Sequence, residues 1–189
     1  TDVPPSAIRA IAQAWKDDPD TLLWLKSYAQ SDEDNWVRSV AVEAIAQAWK
    51  DDPDTLPWLK STQSDKNEWV RSAVVEAIAC GWKDDPNTLI MLKSLTQSDE
   101  HKRVRSMVVG VLARYWKYDP GTLPMLKSYA QSDKDDWVRR AAVQGLASNW
   151  KDDPDTLPIL KSRAQSDEDG NVRRAALWAL AQDWKNDPD

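Results

Sequence analysis

A tryptophan followed by lysine recurs at Trp15, Trp49, Trp82, Trp116, Trp150 and Trp184, each copy 34 or 33 residues after the last. Self-similarity at such a period marks a chain copied from one short unit, which can bury its apolar face only against its neighbours. The expectation is therefore an extended array of stacked units.

With the aspartate-proline step as boundary, the units run 19–52, 53–85, 86–119, 120–153 and 154–187, after a half unit at 1–18. No glycine-rich linker, charge block or change of composition separates them, so residues 1–189 read as a single array. The chain opens at Thr1 partway through a unit, and Pro188-Asp189 begins another copy. That is the pattern expected of a piece of a longer protein. With 41% apolar residues the chain holds enough core material to exclude disorder.

Each unit predicts two helices. In the first, Leu22 to Gln30 in one copy, Leu22, Leu25 and Ala29 fall three and four residues apart. Its leucine pair returns as Leu56/Leu59, Leu89/Leu92, Leu123/Leu126 and Leu157/Leu160. Pro57, Pro124 and Pro158 must lie in a first turn, because an interior proline removes a hydrogen bond and clashes with the preceding turn. That places the caps at Thr55, Thr122 and Thr156. The second helix, Trp36 to Lys50 in the same copy, turns Val37, Ala41, Val42, Ala44, Ile45, Ala48 and Trp49 toward a core. Trp36, Ser39, Glu43, Gln47 and Lys50 form a stripe on the other side.

A period of 34 also suits tetratricopeptide arrays, so a second feature decides the type. Asp32, Asp65, Asp99, Asp133 and Asp167 each precede Arg38, Arg71, Arg105, Arg139 and Arg173 by six residues, and each arginine follows a valine. In these steps the chain resembles HEAT-like repeats, in which such aspartates and arginines line up as a ladder between neighbouring units. The resemblance implies an all-α fold, a right-handed α-solenoid or superhelix of antiparallel helix pairs, with the second helices lining a concave wall. The wording Asp152-Asp153-Pro154-Asp155-Thr156-Leu157-Pro158 further resembles HEAT-like arrays appended to bacterial, especially cyanobacterial, NACHT-type NTPases. No Gly-x-x-x-x-Gly-Lys-Ser/Thr loop occurs, so nucleotide chemistry is not carried over.

Several chemistries find no footing. Five equivalent aspartate-arginine pairs are tethers, since a catalytic site needs one special environment. Cys80 and His101 are the only residues of their kinds, so no internal disulfide and no Cys/His zinc site is expected. Cys80 has no base near it in sequence, and His101 reads as a solvated loop residue. No catalytic residue, metal or cofactor is expected. A net charge of −6 argues against general attraction to nucleic acid or anionic membrane. With no secretory leader and no long apolar run, a cytoplasmic location is expected.

The stripe is the best candidate for function. Its middle column reads Arg9, Glu43, Glu76, Gly110, Gln144 and Trp178, a scatter that no shared structural demand explains, while core columns keep Val, Ala, Ile or Leu. Trp36, Trp69, Trp137 and Trp178 fall on this polar side, and surface tryptophan belongs to binding hot spots. Arg103, Arg114, Arg140 and Arg174 add local positive charge toward the carboxyl end. The tryptophans of the Trp-Lys step read as core filler, and Trp24 and Trp58 as packing between units. Lys16, Lys50, Lys83, Lys117, Lys151 and Lys185 offer a rail for an acidic partner, or simply complement helix dipoles. The reading is a scaffold for a protein or peptide, the sensing or docking segment of a larger bacterial protein, with end-to-end self-contact through an uncapped last face as a further expectation. HEAT-like bilin lyases and DNA glycosylases supply an enzymatic alternative, and a passive spacer a third.

Overall fold

The structure is a computed structural model that describes residues 3–184. Among these residues the chain forms helices α1 (Pro5–Ala14), α2 (Pro19–Ser31), α3 (Asn35–Ala48), α4 (Thr55–Thr62), α5 (Glu68–Gly81), α6 (Pro86–Ser98), α7 (Lys102–Tyr115), α8 (Thr122–Ser132), α9 (Asp136–Asn149), α10 (Thr156–Ser166) and α11 (Gly170–Asp183), with no strand. The fold is all-α and built of helix pairs, α1 being the lone second helix of the half unit. The chain comprises two compact units, Thr1–Ile90 and Met91–Asp189, with the boundary inside α6.

In the first unit α3 lies between α1 and α5 and against α2. It is therefore buried almost all round, with Val37, Val40, Ala41, Val42, Ala44 and Ile45 in the core. Ser39 is buried too, its hydroxyl donating to the Asn35 carbonyl, so it does not belong to the exposed stripe expected of it. A neighbouring helix covers that flank.

In the second unit α9 holds the equivalent place between α7 and α11, against α8. Val138, Ala142, Val143 and Leu146 pack there with Leu126, Leu160 and Val172. A Cβ added at Gly145 would stand 2.8 Å from the Ala113 Cβ, so α7 and α9 touch where the side chain is missing.

The first helices start in two ways, and proline decides which. Leu23 and Ile90 keep their N–H groups, and α2 and α6 begin at Pro19 and Pro86. Where Pro57, Pro124 and Pro158 stand instead, a bond back to the fourth preceding carbonyl is impossible, and α4, α8 and α10 begin only at Thr55, Thr122 and Thr156. These threonines are the first helical residues and fully buried; the caps are Asp54, Gly121 and Asp155, one position earlier than the sequence suggested.

The Trp-Lys-x-Asp-Pro wording encodes the turn between units. Each tryptophan N–H closes the last turn of a second helix, as Trp49 does on Ile45 and Trp150 on Leu146. The tryptophan carbonyl then accepts from the aspartate three residues on, and that aspartate's carbonyl from the following threonine, as in Trp49, Asp52 and Thr55. The aspartate carboxylate caps the turn by accepting the N–H two residues ahead, Asp54 for Asp52 and Asp155 for Asp153. These tryptophans are only partly core: Trp49 is buried, Trp82, Trp116, Trp150 and Trp184 are half-buried, and Trp15 is exposed.

Candidate interaction wall

Second helices lie side by side within each unit, which brings residues of one column together. Arg9 Nη2 donates to Glu43 Oε2 at 2.9 Å from α1 to α3, and Lys102 Nζ to Asp136 Oδ1 at 2.8 Å from α7 to α9. Both pairs span 34 residues, so the repeat period is read directly by the side chains.

On the stripe Trp36, Trp69 and Trp178 are exposed at 56%, 47% and 67%. Glu43, Arg114, Gln144 and Arg174 are exposed and Glu76, Arg103 and Arg140 half-buried. Trp137 differs from the other stripe tryptophans. It is half-buried under three cations, with Lys102 Nζ 5.4 Å, Arg103 Cζ 5.0 Å and Arg140 Cζ 5.8 Å from its ring centroid. Cationic heads over an aromatic face are attracted by its quadrupole, and their stems cover the ring. A cleft of about 270 Å³ lies between α1 and α3, lined by Arg9, Gln13, Lys16 and Gln47.

The ladder occupies the loops between paired helices. Each of Asp32, Asp65, Asp99, Asp133 and Asp167 accepts with Oδ1 the N–H two residues ahead. Arg71, Arg105, Arg139 and Arg173 each donate back to the carbonyl of the aspartate six residues earlier. Arg38 instead uses the Ala29 carbonyl. The arginines also reach forward to a carboxylate of the next copy: Arg38 to Asp65, Arg139 to Asp167, and Arg105 to Asp135. Arg105 thus takes Asp135 in place of Asp133, the counterpart of Asp65 and Asp167. Asp135 is available because its side chain does not cap α9, whereas Asp34, Asn67 and Asp169 cap their helices.

Charge and burial tune the rungs. The hydrogen bonds of Asp167 raise the Arg139 guanidinium further above its ordinary value. Burial lowers that of Arg38 against the opposing charge of Asp32. For Asp167 burial pushes upward, but the bonds from Arg139 and the Asp169 N–H and the charges of Arg139 and Arg163 outweigh it, leaving the carboxyl below the usual range.

A second ladder, unread in the sequence, runs along the first helices. Lys60 pairs with Asp85, Lys93 with Asp119 and Lys127 with Asp153, each lysine meeting the turn aspartate that ends its own copy, just before the next first helix. The signal was there in the unchanging Leu-Lys-Ser and Asp-Pro steps; only the distance between them in sequence hid the pairing. On the same helices Lys26 Nζ stands 5.7 Å from the Trp58 ring, consistent with packing between copies. His101 is half-buried and caps α7, its Nδ1 accepting from the Arg103 N–H at 3.2 Å. It is a capping residue rather than a free loop side chain. Cys80 is exposed.

Among the described residues no group of three His, Cys, Asp or Glu could hold a metal ion, and no helix is long and apolar enough to cross a membrane. Lys185 lies outside the described residues.

Stacked helix pairs joined by an aspartate-arginine ladder define a helical repeat scaffold. The family model for HEAT repeats matches residues 1–79, 23–113, 62–147 and 90–181, and the chain belongs to the HEAT-repeat family. No curated protein and no solved structure matches the chain.

Proposed function

We propose that the chain is a binding scaffold for a protein or peptide, serving as the docking or sensing segment of a larger bacterial protein, and that its binding face is the wall of second helices. The binding residues proposed are Trp36, Glu43, Trp69, Glu76, Arg103, Arg114, Trp137, Arg140, Gln144, Arg174 and Trp178. One observation carries this reading: Trp36, Trp69 and Trp178 stand exposed in columns that vary from copy to copy, on helices whose other faces are core. Exposed rings held on rigid helices lose little entropy on binding and bury large areas. The likeness of the Asp-Asp-Pro wording to arrays appended to NACHT-type NTPases supports an appended segment.

The test is a peptide display selection on the full chain, followed by calorimetry on the selected sequences. Trp36→Ala, Trp69→Ala or Trp178→Ala should weaken binding about tenfold or more, near 1.4 kcal/mol. Leu23→Ala, on the exposed side of α2, should not. Equal affinities for all four variants would remove the wall from the reading.

A further inference from the structure

The charge of the chain is divided unevenly. Residues 1–90 carry nine Lys and Arg against sixteen Asp and Glu, a net −7; residues 91–189 carry sixteen against fifteen, a net +1. The imbalance is sharper on the second helices of the second unit. The only carboxylates within α7, α9 and α11 are Asp136, which is shared with Lys102, and Asp183 at the far end of α11. Arg105 and Arg139 are spent on buried rungs. Arg140 and Arg174 lie toward the stripe, and among the described residues neither has a carboxylate partner.

Building on the scaffold reading above, we infer that this wall binds an acidic segment of a partner protein in extended conformation. Its carboxylates meet Arg140 and Arg174, and an adjoining apolar or aromatic side chain covers Trp178. Guanidinium groups pair bidentately with carboxylates, and those here are already ordered: Arg140 by the Trp137 ring and Arg174 by a 3.0 Å bond to Asn171 Oδ1. Lys102, Arg103 and Arg140 gather three positive charges around a single ring, so an incoming anion beside Arg140 meets a locally favourable field. Spacing fits as well. Arg140 and Arg174 share one column on packed helices, roughly 8–10 Å apart, and alternate residues of an extended chain lie about 7 Å apart, a difference that flexible side chains absorb. Nucleic acid suits the surface less, because the chain's net charge of −6 disfavours a polyanion in general while a short acidic peptide needs only the local patch.

The experiment uses the full chain and a fluorescein-labelled decapeptide of alternating glutamate and serine with one central tyrosine, followed by anisotropy. Expected is saturable binding that weakens about tenfold when glutamine replaces glutamate, and about tenfold in R140E/R174E. Rising salt should weaken it too, as screening shortens from about 10 Å at 0.1 M toward 3 Å at 1 M. Circular dichroism melts should coincide for wild type and variant; if R140E/R174E melts early, R140Q/R174Q replaces it with the same expectation. Equal affinity for the glutamine peptide, an unaffected double variant, or tighter binding of a ten-residue oligothymidylate would overturn the inference. So would light scattering showing a dimer that R140E/R174E converts to monomer, since a second copy would then be the occupant. If display-selected peptides of other composition still depend on Trp36, Trp69 or Trp178, the acidic class falls and the scaffold reading stands; if neither dependence exists, both fall.

Discussion

Arg139 leaves its own repeat and closes a two-pronged pair on Asp167, Nη2 to Oδ1 at 2.8 Å and Nε to Oδ2 at 2.9 Å, while its Nη1 holds the Asp133 carbonyl at 2.9 Å. One guanidinium thus ties the loop of its own copy to the loop of the next. Both side chains are nearly sealed from solvent, at 5% and 1% exposure.

Removing one member of such a pair strands a buried charge and unpairs loop carbonyls. Arg139→Met is expected to destabilise the fold by about 3–5 kcal/mol, read as a lowered urea midpoint. Arg9→Ala breaks a pair of similar length, but its members are half exposed, and the expected loss is about 0–1 kcal/mol. A large effect at Arg9 and none at Arg139 would reverse this account of the ladder.

Acid should release the same ties. Lys93 holds Asp119 below the usual carboxylate range by a hydrogen bond and Lys127 does the same for Asp153, while Arg139 and the Asp169 N–H outweigh burial to depress Asp167. A carboxyl depressed in the folded state stabilises it above the unfolded value, about 3.9, and loses that contribution as pH falls through the folded value. The melting temperature should therefore stay level above about pH 5 and fall below about pH 4. Asp167→Asn should melt lower at neutral pH and show a shallower acid decline; an unchanged acid decline would take Asp167 out of the linkage.

Much of this architecture could be read from spacing alone, because each copy restates the same demand. The leucine pairs of the first helices, the Val-Arg step and the period itself all recur, so chance in any one copy is averaged away. What escaped is what a helical projection does not contain. Ser39 lies on the polar side of its own helix yet is buried, because a neighbouring second helix covers that flank. Trp137 shares a column with Trp36 and Trp69, but Lys102 and Arg103 of the preceding copy and Arg140 of its own set their cations against its ring, which is half-buried. Lys127 and Asp153 lie 26 residues apart and meet only because first helices stack.

His101 fills a column in which Asp34, Asn67 and Asp169 cap their helices with a side-chain oxygen. Its imidazole accepts at 3.2 Å, longer than the 2.8 Å that Asp34 achieves with Trp36. Aspartate is also favoured by the positive end of the helix. His101→Asp should raise stability by about 0.5–1 kcal/mol in denaturant titration. A loss would mean that the imidazole does more at this position than cap α7.

Gly110 and Gly145 sit in the interiors of α7 and α9 and look alike in sequence, yet alanine should act on them in opposite directions. Nothing lies within 4 Å of a Cβ built at Gly110, so Gly110→Ala adds helix propensity without a clash and should stabilise by about 0.5–1 kcal/mol. At Gly145 the new Cβ would meet Ala113 Cβ at 2.8 Å, and that methyl cannot turn aside because it is fixed to its backbone. Leu126 follows at 3.7 Å, closing the space from α8. Only separation of α7 from α9 can admit the methyl, and overpacking of this kind costs about 1–3 kcal/mol, more than the propensity gained. Thermal melts of the two variants therefore straddle that of the wild type. A Gly145→Ala protein as stable as Gly110→Ala would show that α7 and α9 are not in close contact at this point.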